Sequence, residues 1–217
     1  MNDQEIKAWF QESQAQALIK KMDKRGIKAF YAPDGEAAKK AVLDLIPAEG
    51  VVALLGSQTM NQIGVYAELR RSGRELVDHA TQTKGLDPAE AHNYRRRAFL
   101  AEAMLASANA LDAEGRIYNV DGVGNRVASM IYGPNKVILA VSLNKVAPTP
   151  EEAWFRARQT ASPMNNKRLD RPNPCVKSGH CHDCQLESSI CNYFSIVDRS
   201  NPVGRINVVL IGGEYGY

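Results

Sequence analysis

The chain has 217 residues, 44% hydrophobic and 24% charged, the proportions of a folded protein and far from those of disordered or collagen-like chains. Its 27 Lys and Arg against 24 Asp and Glu leave a formal net charge of +3, too slight to argue for nucleic acid as a partner. No apolar run approaches the roughly 20 residues that cross a bilayer, and a chain of this length buries enough surface to fold without disulfides or a structural metal.

The opening MNDQEIKAWFQESQ is acidic and polar, so it reads as helix rather than signal peptide, and the expected location is cytoplasmic. Residues 3–24 place Ile6, Trp9, Phe10 and Ala17 on one side of an amphipathic helix that stops at Arg25-Gly26. Residues 27–32 read as a short strand, followed by a Pro33-Asp34-Gly35 turn in which Asp34 is placed to cap the next helix. That helix carries Ala38, Ala41, Val42 and Leu45 as one buried stripe.

Residues 50–55 form a continuous apolar run, the pattern of a strand covered by helices on both faces. The run breaks at Gly56-Ser57-Gln58-Thr59, after which Met60, Ile63 and Ala67 return to helical spacing through about residue 71. Residues 75–79 read as another strand. A longer helix is predicted over 88–107, with Tyr94, Ala98, Ala101 and Leu105 on one face and Arg95, Arg96 and Arg97 on a solvated edge. Strands follow near 116–120, 137–143 and 205–211, with a helix over 150–159. This alternation predicts an α/β fold, a mostly parallel sheet flanked by helices, in one domain spanning 1–217. Residues 162–195 are expected to be a Cys-bearing irregular insertion, its least regular part rich in Pro, Asn, Lys and Ser.

Three groups of residues carry possible chemistry. Gly56, Ser57, Gln58 and Thr59 lie between a buried strand and a helix, where exposed N–H groups and two hydroxyls can receive an anion, although a plain capped turn has the same sequence. The loop matches neither the P-loop nor the dinucleotide pattern. Asn109, Glu114, Gly115, Asp121, Gly122, Gly124, Asn125 and Arg126 crowd two glycine turns, and an arginine beside exposed amides suits a phosphate or carboxylate. Lys145, just past a strand, adds a second cation. On this reading Arg126→Ala weakens anion binding and leaves the fold intact, and Glu114 is the carboxylate placed to act as base or nucleophile.

The third group is Cys175, Cys181, Cys184 and Cys191, all four cysteines of the chain, spaced C-x5-C-x2-C-x6-C. Four soft ligands in a reducing compartment suit a [4Fe–4S] cluster or a structural Zn²⁺, and the spacing does not choose between them. His180 and His182 flank Cys181 as neighbours rather than ligands, and His79 and His92 have no visible partner.

The ordered segments GSQTMNQIGVYAELR, SANALDAEGRIYNVDGVGNRVASMIYGPNKVILAVSLNKV, PCVKSGHCHDCQLESSICN and GRINVVLIGGEYGY resemble the LUD-domain family, associated with lactate utilisation. The likeness spans most of residues 5–217 and is greatest to small members with a four-cysteine segment before the last strand. It implies a fold like the NagB/RpiA/CoA-transferase group and a ligand loop at Gly56 to Thr59. The opposite wall would come from Asn109, Glu114, Gly115, Asp121, Gly122, Gly124, Asn125, Arg126 and Lys145. It further implies a component of an L-lactate oxidation system that works with iron–sulfur partner subunits. The expectation is therefore a protein that binds a small anionic metabolite and carries a four-cysteine site, with [4Fe–4S] favoured over Zn²⁺. The alternatives are a non-catalytic zinc-stabilised interaction module, or an enzyme acting on sugar phosphates or CoA esters.

Overall fold

A computed structural model describes residues 1–217. The chain begins with α1 (Asp3–Lys24), β1 (Lys28–Ala32), α2 (Gly35–Leu45), β2 (Val52–Leu54), α3 (Gln58–Gln62), α4 (Val65–Arg71) and β3 (Leu76–Asp78). It continues through α5 (His79–Gln82), α6 (Pro88–Arg96), β4 (Ala103–Ala106), β5 (Ala110–Asp112), β6 (Ile117–Asp121), α7 (Asn125–Ile131) and β7 (Lys136–Ser142). The last elements are β8 (Val146–Ala147), α8 (Pro150–Phe155), α9 (Ser162–Arg168), α10 (Cys175–Ser178), β9 (Tyr193–Val197) and β10 (Ile206–Ile211).

Six strands make a wholly parallel sheet in the order β1-β10-β7-β4-β2-β3, and a second, mixed sheet has the order β8-β5-β6-β9. One face of the large sheet packs on Leu18 and Met22 of α1, on Ala98 in the turn after α6, and on Met130 of α7. The other packs on Val42 of α2, Met60 of α3, and Val65, Tyr66 and Leu69 of α4. The helix-covered parallel sheet is the architecture that the apolar runs predict.

Several elements depart from the sequence reading. The buried residues of α1 are Ala15, Leu18 and Met22, whereas Trp9 is 60% and Phe10 53% exposed. Its first turns overhang the sheet, so the apolar spacing there does not mark a core face. The helix expected to run to residue 107 ends at Arg96, a 3-10 turn covers Arg97–Leu100, and Ala103–Ala106 is a central strand. Ala, Met and Leu favour helix intrinsically, but tertiary burial overrides that preference. Met104 and Ala106 join the core on one face and Ala103 and Leu105 the core on the other, the two-residue alternation of a strand. The short strands β5, β8 and β9 also escape sequence reading. Helix α8 continues through a π-helical turn, Arg156–Ala161, into α9, so the segment expected to be irregular begins as helix and ends in β9.

The connection from β2 to β3 runs through α3 and α4 on one face, whereas that from β4 to β7 runs through the small sheet and α7 on the other. Strands β2 and β4 are neighbours, so the loops at their carboxyl ends leave in opposite directions. A crevice opens between such loops, and this one holds the residues described next.

Candidate functional site

Ser57 ends the loop after β2 and spends its hydroxyl on the N-cap of α3, accepting from Met60 N–H at 3.1 Å. Thr59, the second residue of α3, is buried and faces the loop after β4. The 3-10 turn Leu143–Lys145 after β7 delivers Lys145 to the same place. Lys145 Nζ donates to Thr59 Oγ1 at 3.0 Å, Ser107 Oγ at 3.3 Å and the Ala108 carbonyl at 3.4 Å.

This ammonium is 2% exposed and has no carboxylate partner. Burial, with the nearby Arg156 and Arg126 guanidinium groups, pushes the Lys145 pKa down to about 7. At neutral pH the amine is then poised between its charged and free forms. An arriving anion would supply the missing countercharge.

The segment after β10 lies over this group. Ser142 Oγ donates to the Gly213 carbonyl at 2.5 Å, Gly35 N–H donates to Tyr215 Oη at 3.0 Å, and Gly216 N–H donates to Gln62 Oε1 at 2.6 Å. Thr59 Oγ1 reaches the Tyr215 carbonyl at 3.4 Å. Gly216 has φ +67°, and a Cβ there would fall 2.8 Å from Lys145 Nζ and closer still to Thr59 Oγ1. Only glycine lets the backbone settle so near the amine.

Arg126 does not act as a free anion clamp. Its Nε donates to Asp121 Oδ2 at 3.1 Å, one terminal nitrogen to Ser107 O at 3.0 Å and Asn119 Oδ1 at 2.8 Å, and the other to Asn109 Oδ1 at 3.2 Å and Val120 O at 2.8 Å. All five guanidinium N–H donors are therefore engaged, and the side chain braces the loops after β4 and β6. Asp121 is part of the brace, its other oxygen accepting from Val123 and Gly124 N–H. Gly122 packs against Ile190, and Gly124 against the Tyr193 ring. These residues shape the wall of the crevice rather than presenting donors to it.

Glu114 is also displaced from its expected role. It sits in the exposed β5–β6 hairpin, where its carboxylate pairs with Lys21 at 2.7 Å and is held below the usual glutamate range by that lysine. Gly115, φ +86°, lets the hairpin press on Met22 of α1. Both residues tie the small sheet to α1, away from Lys145.

His79, which has no partner visible in the sequence, follows β3 and lies against Gly56, its ring 3.7 Å from where a Cβ would stand. Its Nδ1 is buried without a hydrogen-bond partner. Burial and then Arg95 lower its pKa, which favours the neutral ring. Ser107, Gln62 and Arg156 are likewise site residues that no local pattern distinguishes.

The four cysteines border one cavity of about 510 Å³, with all four thiols free of disulfides. Burial raises the Cys175 pKa, and Cys184, Cys191 and Cys181 raise it further, a coupling that reflects their proximity. The Asp183 N–H points at Cys181 Sγ at 3.4 Å, and Asn166 Nδ2 lies 4.0 Å from Cys191 Sγ. Amide donors beside sulfur stabilise thiolate ligands. No three His, Cys, Asp or Glu side chains converge to the distances of a single ion. Four thiols on one cavity, among polar neighbours such as Asn166, Asn173 and Arg158, are soft donors of the kind that an iron–sulfur cluster or Zn²⁺ takes. His182 borders the cavity and stacks on His180.

A family model described as the LUD domain matches residues 15–211. The chain belongs to the LUD-domain family. That membership connects this LUD domain, in general terms, with lactate utilisation. Among solved structures it is similar to a DUF162 family protein from Deinococcus radiodurans, with 13% identity over 93% of this chain and 98% of that one and a TM-score of 0.51. It also aligns with ribose 5-phosphate isomerase A from Neisseria gonorrhoeae, with 13% identity over 84% of this chain and 95% of that one and a TM-score of 0.39. No curated protein matches. No helix of this LUD domain is long and apolar enough to cross a membrane.

Proposed function

We propose that this LUD-domain protein is a component of L-lactate oxidation that binds a small carboxylate in the crevice between β2 and β4. The observation that carries the reading is the meeting of Lys145 with Thr59 and Ser107, a buried amine without a countercharge flanked by two hydroxyls. A hydroxy acid or keto acid offers a carboxylate for the amine and a second oxygen for a hydroxyl. Binding would pull the Lys145 pKa back up, so the site takes up a proton with its ligand. The segment bearing Gly216 would move aside to admit it, and the Arg126 brace would hold the wall in place.

Cys175, Cys181, Cys184 and Cys191 would hold a [4Fe–4S] cluster. Such a cluster supplies one-electron transfer, and iron–sulfur partner subunits would carry electrons onward. The surrounding chain contributes amide donors near two of the sulfurs and the Arg158 cation, which pairs with Asp183 and lies 3.9 Å from Cys181 Sγ.

The test is anaerobic purification with iron, zinc and sulfide quantified, followed by thermal-shift titration with L-lactate, pyruvate, phosphosugars and CoA esters. A brown protein with acid-labile sulfide, stabilised by lactate or pyruvate in wild type but not in Lys145→Met, is expected. A colourless protein holding stoichiometric zinc, or one stabilised by CoA esters and not by small carboxylates, overturns the proposal.

A further inference from the structure

A second cavity of about 520 Å³ lies where α6, α7 and β9 meet, outside the Lys145 crevice. Its walls are largely apolar, with Phe99, Val127, Ile131 and Phe194 among them. Volume and lining are those of sites that enclose a ring-sized organic molecule.

Asn125 and Ser195 line this cavity, and each has a polar atom just beneath its surface, Asn125 Nδ2 and Ser195 Oγ, that finds no hydrogen-bond partner in the chain. A buried polar atom without a partner carries a desolvation cost that a ligand can relieve. The amide nitrogen is a donor only, so its missing partner is an acceptor oxygen or nitrogen. The hydroxyl can serve either way.

The charged rim is equally selective. Of the arginine triplet on α6 and its 3-10 extension, Arg97 is paired with Glu75 and stacked on Tyr94. Arg95 and Arg96 line the cavity and have no carboxylate partner. Two unpaired guanidinium groups at the mouth of an apolar cavity favour a phosphate or carboxylate at one end of the occupant.

Phe194 and Asn192 line both this cavity and the one bordered by the cysteines. The Phe194 ring is fixed between Trp154, 5.2 Å between centroids, and the Arg158 guanidinium, 5.5 Å from its centre. Phe194 and Asn192 are thus shared walls of the two spaces. The choice, among ringed anions, of one able to exchange electrons rests on the cluster proposed above for the neighbouring cysteines.

We propose that this cavity binds a flat-ringed organic anion of the flavin mononucleotide class. The ring lies on the apolar walls, a ring carbonyl accepts from Asn125 Nδ2 once that side chain turns into the cavity, and the phosphate meets Arg95 and Arg96. The binding claim goes beyond the carboxylate site and does not depend on it.

The probes are flavin mononucleotide and riboflavin, which share the ring and differ in the phosphate, titrated by flavin fluorescence quenching. Saturable one-to-one binding is expected, with the mononucleotide about tenfold tighter than riboflavin, the scale of one charge-assisted contact. Arg95→Gln combined with Arg96→Gln should erase that preference and spare riboflavin binding. Ala128→Trp, which fills the cavity, should abolish both. The arginines are at the surface, so their variant stays informative if the tryptophan variant misfolds. Absence of saturable flavin binding, equal affinities in wild type, or a phosphate preference that survives loss of both arginines overturns the proposal. Carboxylate stabilisation through Lys145 is read in a separate titration, so either idea can fail alone.

Discussion

Lys145 Nζ lies 3.0 Å from Thr59 Oγ1, across 86 residues of sequence, and no carboxylate stands near enough to balance its charge. The chain therefore keeps an expensive group in place without the pairing that normally offsets its burial. Function is a sufficient reason for such an arrangement.

The cost has a pH signature. The Lys145 pKa is near 7 in the folded protein and near 10.5 when unfolded, so the unfolded chain binds the extra proton between those values. Stability should rise with pH across that window through this group. Lys145→Met, which removes the burden, should melt several degrees above wild type at pH 7, with the gap closing as pH approaches 10.5. Thermal denaturation of both proteins at four pH values checks this; a constant gap would mean the amine is not held as described.

Arg126 illustrates the opposite case, a buried cation with every donor satisfied. Its removal leaves Asp121 buried and unpaired along with several carbonyl and amide oxygens. Arg126→Ala should cost about 3–5 kcal/mol, the scale of breaking one member of a buried pair. The expectation drawn from sequence is the other outcome, an intact fold with weakened anion binding. Urea denaturation decides, with a change below about 1 kcal/mol sinking the brace.

Gly216 governs access to the amine. A side chain there would collide with Lys145 and Thr59 and would also occupy an unfavourable φ. Gly216→Val should lift the segment and raise the rate of Lys145 reductive methylation several-fold, read by peptide mass spectrometry. An unchanged rate would show that the segment does not shield the site.

The strand β4 can be tested through two adjacent residues. Met104 and Leu105 are both fully buried, on opposite faces of the large sheet. Each alanine substitution should destabilise by about 2–5 kcal/mol, whereas Leu100→Ala, at a side chain 90% exposed, should be nearly neutral.

That strand also shows where sequence reading stops. The runs that became β2, β7 and β10 are rich in Val, Ile and Leu, and their strand state is visible locally. Ala103–Ala106 is not, because its residues prefer helix and only the neighbours β2 and β7 make it a strand. The site divides the same way. Thr59 and Lys145 stand out as polar residues just after apolar runs. Ser107 and His79 gain meaning only once the sheet order brings the loops after β2, β3 and β4 together. For Arg126 the sequence shows a guanidinium beside glycines and not the five acceptors around it. The small sheet was missed for want of length, its strands β5 and β8 having three and two residues.

The pairing of β1 has a consequence for biosynthesis. Residues 28–32 pair along residues 207–211 and along no other strand. During translation β1 must wait, its edge open, until β10 has been made. Until then the nascent chain exposes β1 and one side of β7, and chaperone demand should be greatest in that interval.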